Sequence, residues 1–141
     1  MSEENVEIVR RLYQAAARRD NVAVYSLYDP DIEWDATRTE RGTVTGRVAR
    51  GHEGLRKWLR DWYGAWENID DDLEELIDLS DDEVISVMTQ RGRGRASGVQ
   101  VEDRLATIWT IQGGRIIRAV WFPTREEALE AAGLGDVGGE R

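Results

Sequence analysis

Near residue 70 the sequence changes its period, and that change limits the possible folds more than any composition value does. Before it, apolar residues return every three or four positions: Val6, Val9, Leu12, Tyr13 and Ala16 within residues 3–18, and Leu55, Trp58, Leu59, Trp62 and Trp66 within residues 52–67. That is the spacing of one helix face. After it the apolar residues alternate, which predicts strands at 70–79, 83–95, 99–111 and 115–122, joined by "SDDE", "ASG" and "QGG". Between the two long helices, Asp20 or Asn21 is placed to cap a short second helix carrying Val22, Val24, Tyr25, Leu27 and Tyr28. Asp29-Pro30 stops that helix, since proline disfavours helical backbone at the residue before it. "DIEWD" (31–35) then reads as a short strand, and residues 36–50 as a loop or irregular hairpin. A last helix over 124–132 opens with Thr124 and Glu127 at capping-box spacing, and Gly133 terminates it.

The element order is therefore helix, helix, strand, helix, four strands, helix. It predicts one α+β domain over residues 1–133, with the helices segregated to one face of an antiparallel sheet and a disordered tail at 134–141. With 141 residues and 40% hydrophobic content, one core is expected. No apolar run approaches the roughly 20 residues a membrane span needs. The acidic N-terminus lacks the basic-then-apolar pattern of a signal peptide, so a cytoplasmic protein without membrane contact is expected.

A formal charge of −9 argues against nucleic acid as a partner. The chain has no cysteine and a single histidine, His52, so no metal site and no cofactor is expected. The acidic run at 67–83 lacks the ligand spacing of a calcium loop. A hairpin turning at Ser80–Glu83 would instead set Asp72 near Arg91 and Asp70 near Arg93, neutralising the basic "RGRGR" (91–95) across strands.

Five stretches carry a family resemblance: "RRLYQAAARRD", "YDPDIEWD", "RGHEGLRKWLRDW", "GGRIIRAVWF" and "EALEAAGL". With the element order they resemble SnoaL-like members of the nuclear transport factor 2-like superfamily, to which ketosteroid isomerases also belong. The resemblance spans residues 5–134. It implies a cone-shaped fold, in which a curved antiparallel sheet wraps around the long helix and, with the N-terminal helices, encloses a deep apolar pocket. The superfamily includes isomerases, cyclases, epoxide hydrolases, dehydratases and non-catalytic binders, so fold alone does not choose among them.

The resemblance also assigns places. The isomerase base falls on Asp35, the isomerase tyrosine at or beside Leu12 with Tyr13 next to it, and the isomerase acid on Thr107. The cyclase aspartate and histidine fall on Trp121 and Thr107, and the epoxide-hydrolase last-strand acid near Val120 or Trp121. Of "EDR" (102–104), strand alternation lets Asp103 face the pocket only without Glu102 and Arg104. His52, one loop from Asp35, is the chain's single imidazole, the side chain suited to carry protons near neutrality, so Asp35 and His52 are the catalytic candidates.

The expected pocket wall is Tyr13, Trp58, Trp62, Asp103, Leu105, Thr107, Trp109 and Trp121. The tryptophan stripe at 58, 62 and 66 is mainly a structural spine, because four-residue steps drift about 40° each around a helix. The reading is a small-molecule pocket protein for an apolar ligand. The alternatives are a cofactor-free isomerase, cyclase or hydrolase using Asp35 with His52, and a dimeric protein-interaction module. A homodimer is expected through the outer sheet face, where Ile108, Val120 and Phe122 present apolar surface.

Overall fold

In the computed structural model, which describes residues 2–39 and 48–133, the chain opens with two helices, α1 (Ser2–Ala17) and α2 (Asn21–Leu27). Between them Arg19 holds the left-handed backbone region, at φ 60°. The N–H groups of Arg19 and Asp20 bond back to the carbonyls of Ala16 and Ala15 at 3.1 and 3.0 Å, which closes α1. An arginine there stores roughly 1 kcal/mol that a glycine would not. Asp20 then caps α2 by accepting the Ala23 N–H at 3.2 Å.

The first strand, β1 (Tyr28–Asp35), begins earlier than the expected residue 31. Pro30 does not break it, because the register is irregular between Tyr28 and Glu33 and the proline sits in that stretch. Of the expected loop, residues 40–47 lie outside the described residues, as does the tail. β2 (Ala49–Arg50) leads into the long helix α3 (Gly51–Gly64). Gly51 enters α3 at φ +73°, and a Cβ there would stand 3.3 Å from the Pro30 carbonyl oxygen.

α3 ends at Gly64, not at residue 67, so Trp66 belongs to the next strand. The physical reason is tertiary: Arg95 draws that backbone away. Its N–H bonds the Ala65 carbonyl (2.9 Å), while its side chain bonds the Gly64 (3.2 Å) and Trp66 (2.9 Å) carbonyls. Four long strands follow: β3 (Trp66–Asp78), β4 (Glu83–Gly94), β5 (Gln100–Gln112) and β6 (Arg115–Phe122). A short helix, α4 (Arg125–Ala131), is capped by Thr124, whose side chain accepts the Glu127 N–H at 3.0 Å.

The six strands make one sheet in the order β2-β1-β6-β5-β4-β3, antiparallel except for β1 beside β6. The chain is thus an α+β fold built on a curved, open sheet, with α1, α2 and α3 on the inner face. The predicted β3–β4 register is off by two. Asp70 faces Arg91 and Asn68 faces Arg93, because the turn takes in Leu79 and the ladder is irregular between Leu73 and Glu75. Arg91 still reaches Asp72 (3.5 Å) and also pairs with Glu102 (3.0 Å).

The outer face corrects another expectation. Ile108, Val120 and Phe122 are already buried within the single chain, in a second core with Ile85, Val87, Ala106 and the α4 residues Ala128 and Leu129. The apolar surface that motivated the homodimer is covered. Arg125 pins α4 there by a two-pronged contact with Glu75, at 2.9 and 3.2 Å. That guanidinium holds the Glu75 carboxyl below its ordinary pKa. Among the described residues, no helix is long and apolar enough to cross a membrane.

Candidate functional site

Strand alternation decides what the inner face offers. Trp34 pairs with Ala119 and Trp109 pairs with Ala119, while Thr107 lies between Ser86 and Trp121. These residues therefore share the inner face. Leu55, Trp58 and Trp62 are buried on the opposing side of α3. Trp34 is the centre of the cluster. Its ring lies 5.5 Å from Trp58, 5.4 Å from Trp121 and 6.1 Å from Trp109, all within the usual range of aromatic pairs. Trp62 stacks on Trp58 at 6.0 Å and meets Trp66 edge-on at 5.2 Å.

This cluster does not close completely. A cavity of about 80 Å³ remains, walled by Trp34, Trp58, Trp62, Trp109 and Trp121, with Tyr28, Val24, Leu12 and Leu59 completing the apolar lining. Its polar end is made by Tyr13, Asp71 and Gln90. Gln90 donates to Asp71 Oδ1 at 2.7 Å. The Tyr13 hydroxyl meets Ser86 Oγ at 2.9 Å, and the same oxygen accepts the Trp109 indole N–H at 2.8 Å. An indole N–H can only donate, so Ser86 is the acceptor that fixes Trp109. Burial raises the Tyr13 pKa, the Ser86 hydrogen bond offsets part of that, and the Asp71 carboxylate adds to it. The hydroxyl is held neutral.

That shift carries a pH prediction. A tyrosine whose folded pKa lies above its ordinary value of 10.0 contributes stability fully present below pH 10 and lost as the pH rises beyond it. The unfolding midpoint in urea should therefore fall above about pH 10. Tyr13→Phe should flatten that fall without abolishing it, because Tyr28 is shifted upward by its own burial. An unchanged alkaline slope in the variant would show that Tyr13 ionises freely.

Of the residues expected to form the wall, Tyr13, Trp58, Trp62, Trp109 and Trp121 line the cavity; Asp103, Leu105 and Thr107 do not. Leu105 and Thr107 are buried on the same face, the threonine hydroxyl without a hydrogen-bond partner among the described residues. Asp103 stands opposite Gln90 in the ladder. Sequence reading missed Trp34 and Tyr28, and also Asp71 and Gln90. For Trp34 the alternation in "DIEWD" was a sufficient signal; for Asp71 none was, since it sits in a run of three aspartates.

The two catalytic candidates are elsewhere. Asp35 faces Val120 on the outer side, because Trp34 beside it faces inward. Its Oδ1 accepts the Thr37 N–H (3.0 Å) and the Thr37 hydroxyl (2.6 Å), closing the turn after β1. His52 Nε2 donates to the Tyr28 carbonyl at 2.9 Å, and its ring lies 5.6 Å from that of Tyr25. The two share no hydrogen bond or ion pair, and neither lines the cavity. The acid/base pair expected from the sequence is not assembled.

Beside the cavity lies a wider vestibule of about 380 Å³, which shares Tyr13, Ala16, Val24, Leu59, Tyr63 and Asp71 with it. Its rim carries Arg19 from the α1–α2 turn, Arg56 and Arg60 one turn apart on α3, and Asp70 on β3. The Arg56 guanidinium sits 4.7 Å above the Tyr25 ring.

Comparison with known proteins agrees with this architecture. A Mycobacterium tuberculosis protein, itself uncharacterised, is 29% identical over 128 residues, covering 90% of this chain and 94% of that one. An NTF2-like protein of unknown function from Burkholderia pseudomallei has a TM-score of 0.76 at 20% identity, covering 90% of this chain and 95% of its own. TerC, co-crystallised with polyporic acid, has a TM-score of 0.75 at 21% identity, covering 92% and 98%. Residues 9–119 match the SnoaL-like domain family, and the chain therefore belongs to that family.

Proposed function

We propose that this protein binds a small, flat, mainly apolar molecule, with the tryptophan cavity as the anchor of the site. The observation that carries this reading is the cavity's composition: five indoles with Leu12, Val24 and Leu59, and a few polar groups, Asp71, Gln90 and the tyrosine hydroxyls. That is the pattern of a ligand site with a few orienting groups. The indole N–H groups of Trp34, Trp58 and Trp121 are fully buried and have no hydrogen-bond partner among the described residues. The co-crystal of TerC with polyporic acid supports a small-molecule ligand for this architecture.

Binding is favoured over acid/base catalysis by the placement of Asp35 and His52 away from the cavity. A protein-interaction module is disfavoured by the surface. Among the described residues the large exposed hydrophobics are Val22, Tyr63 and Val99, which are too few for an apolar docking patch.

Intrinsic tryptophan fluorescence, titrated with flat aromatics, terpenoids and fatty acids, tests the reading. One class is expected to give saturable quenching. Ala16→Trp, at a residue that lines both cavity and vestibule, should weaken that binding at least tenfold while the far-ultraviolet circular dichroism stays that of the parent. Absence of saturable quenching across the panel would sink the proposal, as would a parental affinity in the Ala16→Trp protein.

A further inference from the structure

This inference rests on the pocket reading above and names the ligand's chemistry. The cavity's volume of about 80 Å³ is smaller than the roughly 150 Å³ void that accepts benzene. It takes only the tip of a ligand. The vestibule, at about 380 Å³, is within the roughly 300–1,000 Å³ range of small-molecule sites, and Tyr13, Ala16 and Leu59 line both spaces. Most of the ligand must therefore lie in the vestibule, so the vestibule's rim decides the ligand's polarity.

That rim reverses the sign of the molecule. The whole chain carries 28 acidic and 19 basic residues, a formal charge of −9, yet the vestibule is lined by three arginines and two aspartates. Asp71 is occupied, accepting from Gln90, which leaves Asp70 against the three arginines. Among the described residues, Arg19, Arg56 and Arg60 enter no ion pair with an acidic side chain. Arg56 is held in place on the Tyr25 ring, and Arg19 is carried by a backbone conformation that favours glycine. Strained backbone persists where the surrounding structure enforces it, and such positions cluster at ligand sites. Arginines lining one opening suit a planar anion, which guanidinium groups can grip through paired hydrogen bonds.

We infer that the ligand is an amphipathic aromatic anion, of the aryl carboxylate class. The tip of its flat apolar body enters the tryptophan cavity, and the rest stays in the vestibule with the carboxylate on Arg56 and Arg60 and Arg19 closing the third side. No covalent step is involved.

Isothermal titration of the full chain with 2-naphthoate and, separately, with the neutral isostere 2-naphthamide tests it. The carboxylate is expected to bind at least about tenfold more tightly, the size of effect a charge-assisted pair supplies. That ratio should shrink on raising the salt from about 0.02 to 0.3 M, because the rim is exposed and screened. In Arg56→Gln/Arg60→Gln the ratio should fall to about one, with the thermal midpoint near that of the parent, since both side chains are exposed. Equal affinity for the two probes overturns the inference and leaves the pocket reading standing. So does a preference that survives in the double variant. If neither probe binds, and the fluorescence panel is also silent, the pocket reading falls and takes this inference with it.

Discussion

Replacing Trp34 by alanine is expected to lower the stability of the fold by about 3–5 kcal/mol, the usual cost of deleting a large buried aromatic side chain. Its indole is 4% exposed and contacts the rings of Tyr28, Trp58, Trp109 and Trp121. The remaining wall cannot collapse into the space, because Trp109 and Trp121 are fixed to the sheet and Trp58 to α3. Single domains are stable by only about 5–15 kcal/mol, so the variant should sit near the edge of folding. At about 2–4 °C per kcal/mol for a chain of this size, the thermal midpoint should drop by roughly 10 °C. Trp34→Phe keeps most ring contacts and removes an unpaired N–H, so its loss should be well under half as large. A drop of only a degree or two in the alanine variant would show that the aromatic cluster is not the keystone of the inner core.

The second large effect belongs to a small residue. Ser86→Ala removes one oxygen and leaves two groups, the Trp109 indole N–H and the Tyr13 hydroxyl, without their common partner. A buried polar group deprived of its partner costs about 1–3 kcal/mol, so the two together should cost about 2–4 kcal/mol in a urea titration. Ser86 and Trp109 are almost fully buried, so water cannot take the place of the serine at the indole. Tyr13 borders the vestibule and can recover part of its loss there. A double-mutant cycle separates the two contributions. Adding Tyr13→Phe to Ser86→Ala should cost less than Tyr13→Phe alone, because the tyrosine hydroxyl has by then lost its partner. Strict additivity of the two changes would mean that the hydroxyls do not interact.

How much of this was legible in the sequence depends on whether a feature is local. The two periods placed α1, α3 and the four long strands well, because burying one face of a regular element imposes its spacing on the sequence. The α3–β3 boundary was missed because Trp58, Trp62 and Trp66 continue a helical spacing, whereas the chain actually leaves the helix at Gly64, where Arg95 holds the carbonyls. That arginine lies thirty residues downstream, beyond any local pattern. The tryptophans of the wall were readable from size and face. Asp71 was not: which aspartate of the run points inward is set by the irregularity between Leu73 and Glu75, a property of the pairing rather than of the run. Asp35 is the opposite case. Strand alternation alone excludes it once Trp34 faces inward, but the family's register drew the expectation the other way.

The parallel pairing of β1 with β6 also has a consequence for how the molecule is made. Trp34 lies beside Ala119, and the indoles of Trp109 and Trp121 that flank it come from the last two strands. A ribosome releases the chain from its N-terminus, so the central indole waits through most of translation before its neighbours exist. Contacts so distant in sequence close a long loop and form slowly. Until β6 has cleared the exit tunnel, the nascent chain carries exposed tryptophan, which favours chaperone contact and early association between chains. For this fold, birth order leaves the core until last.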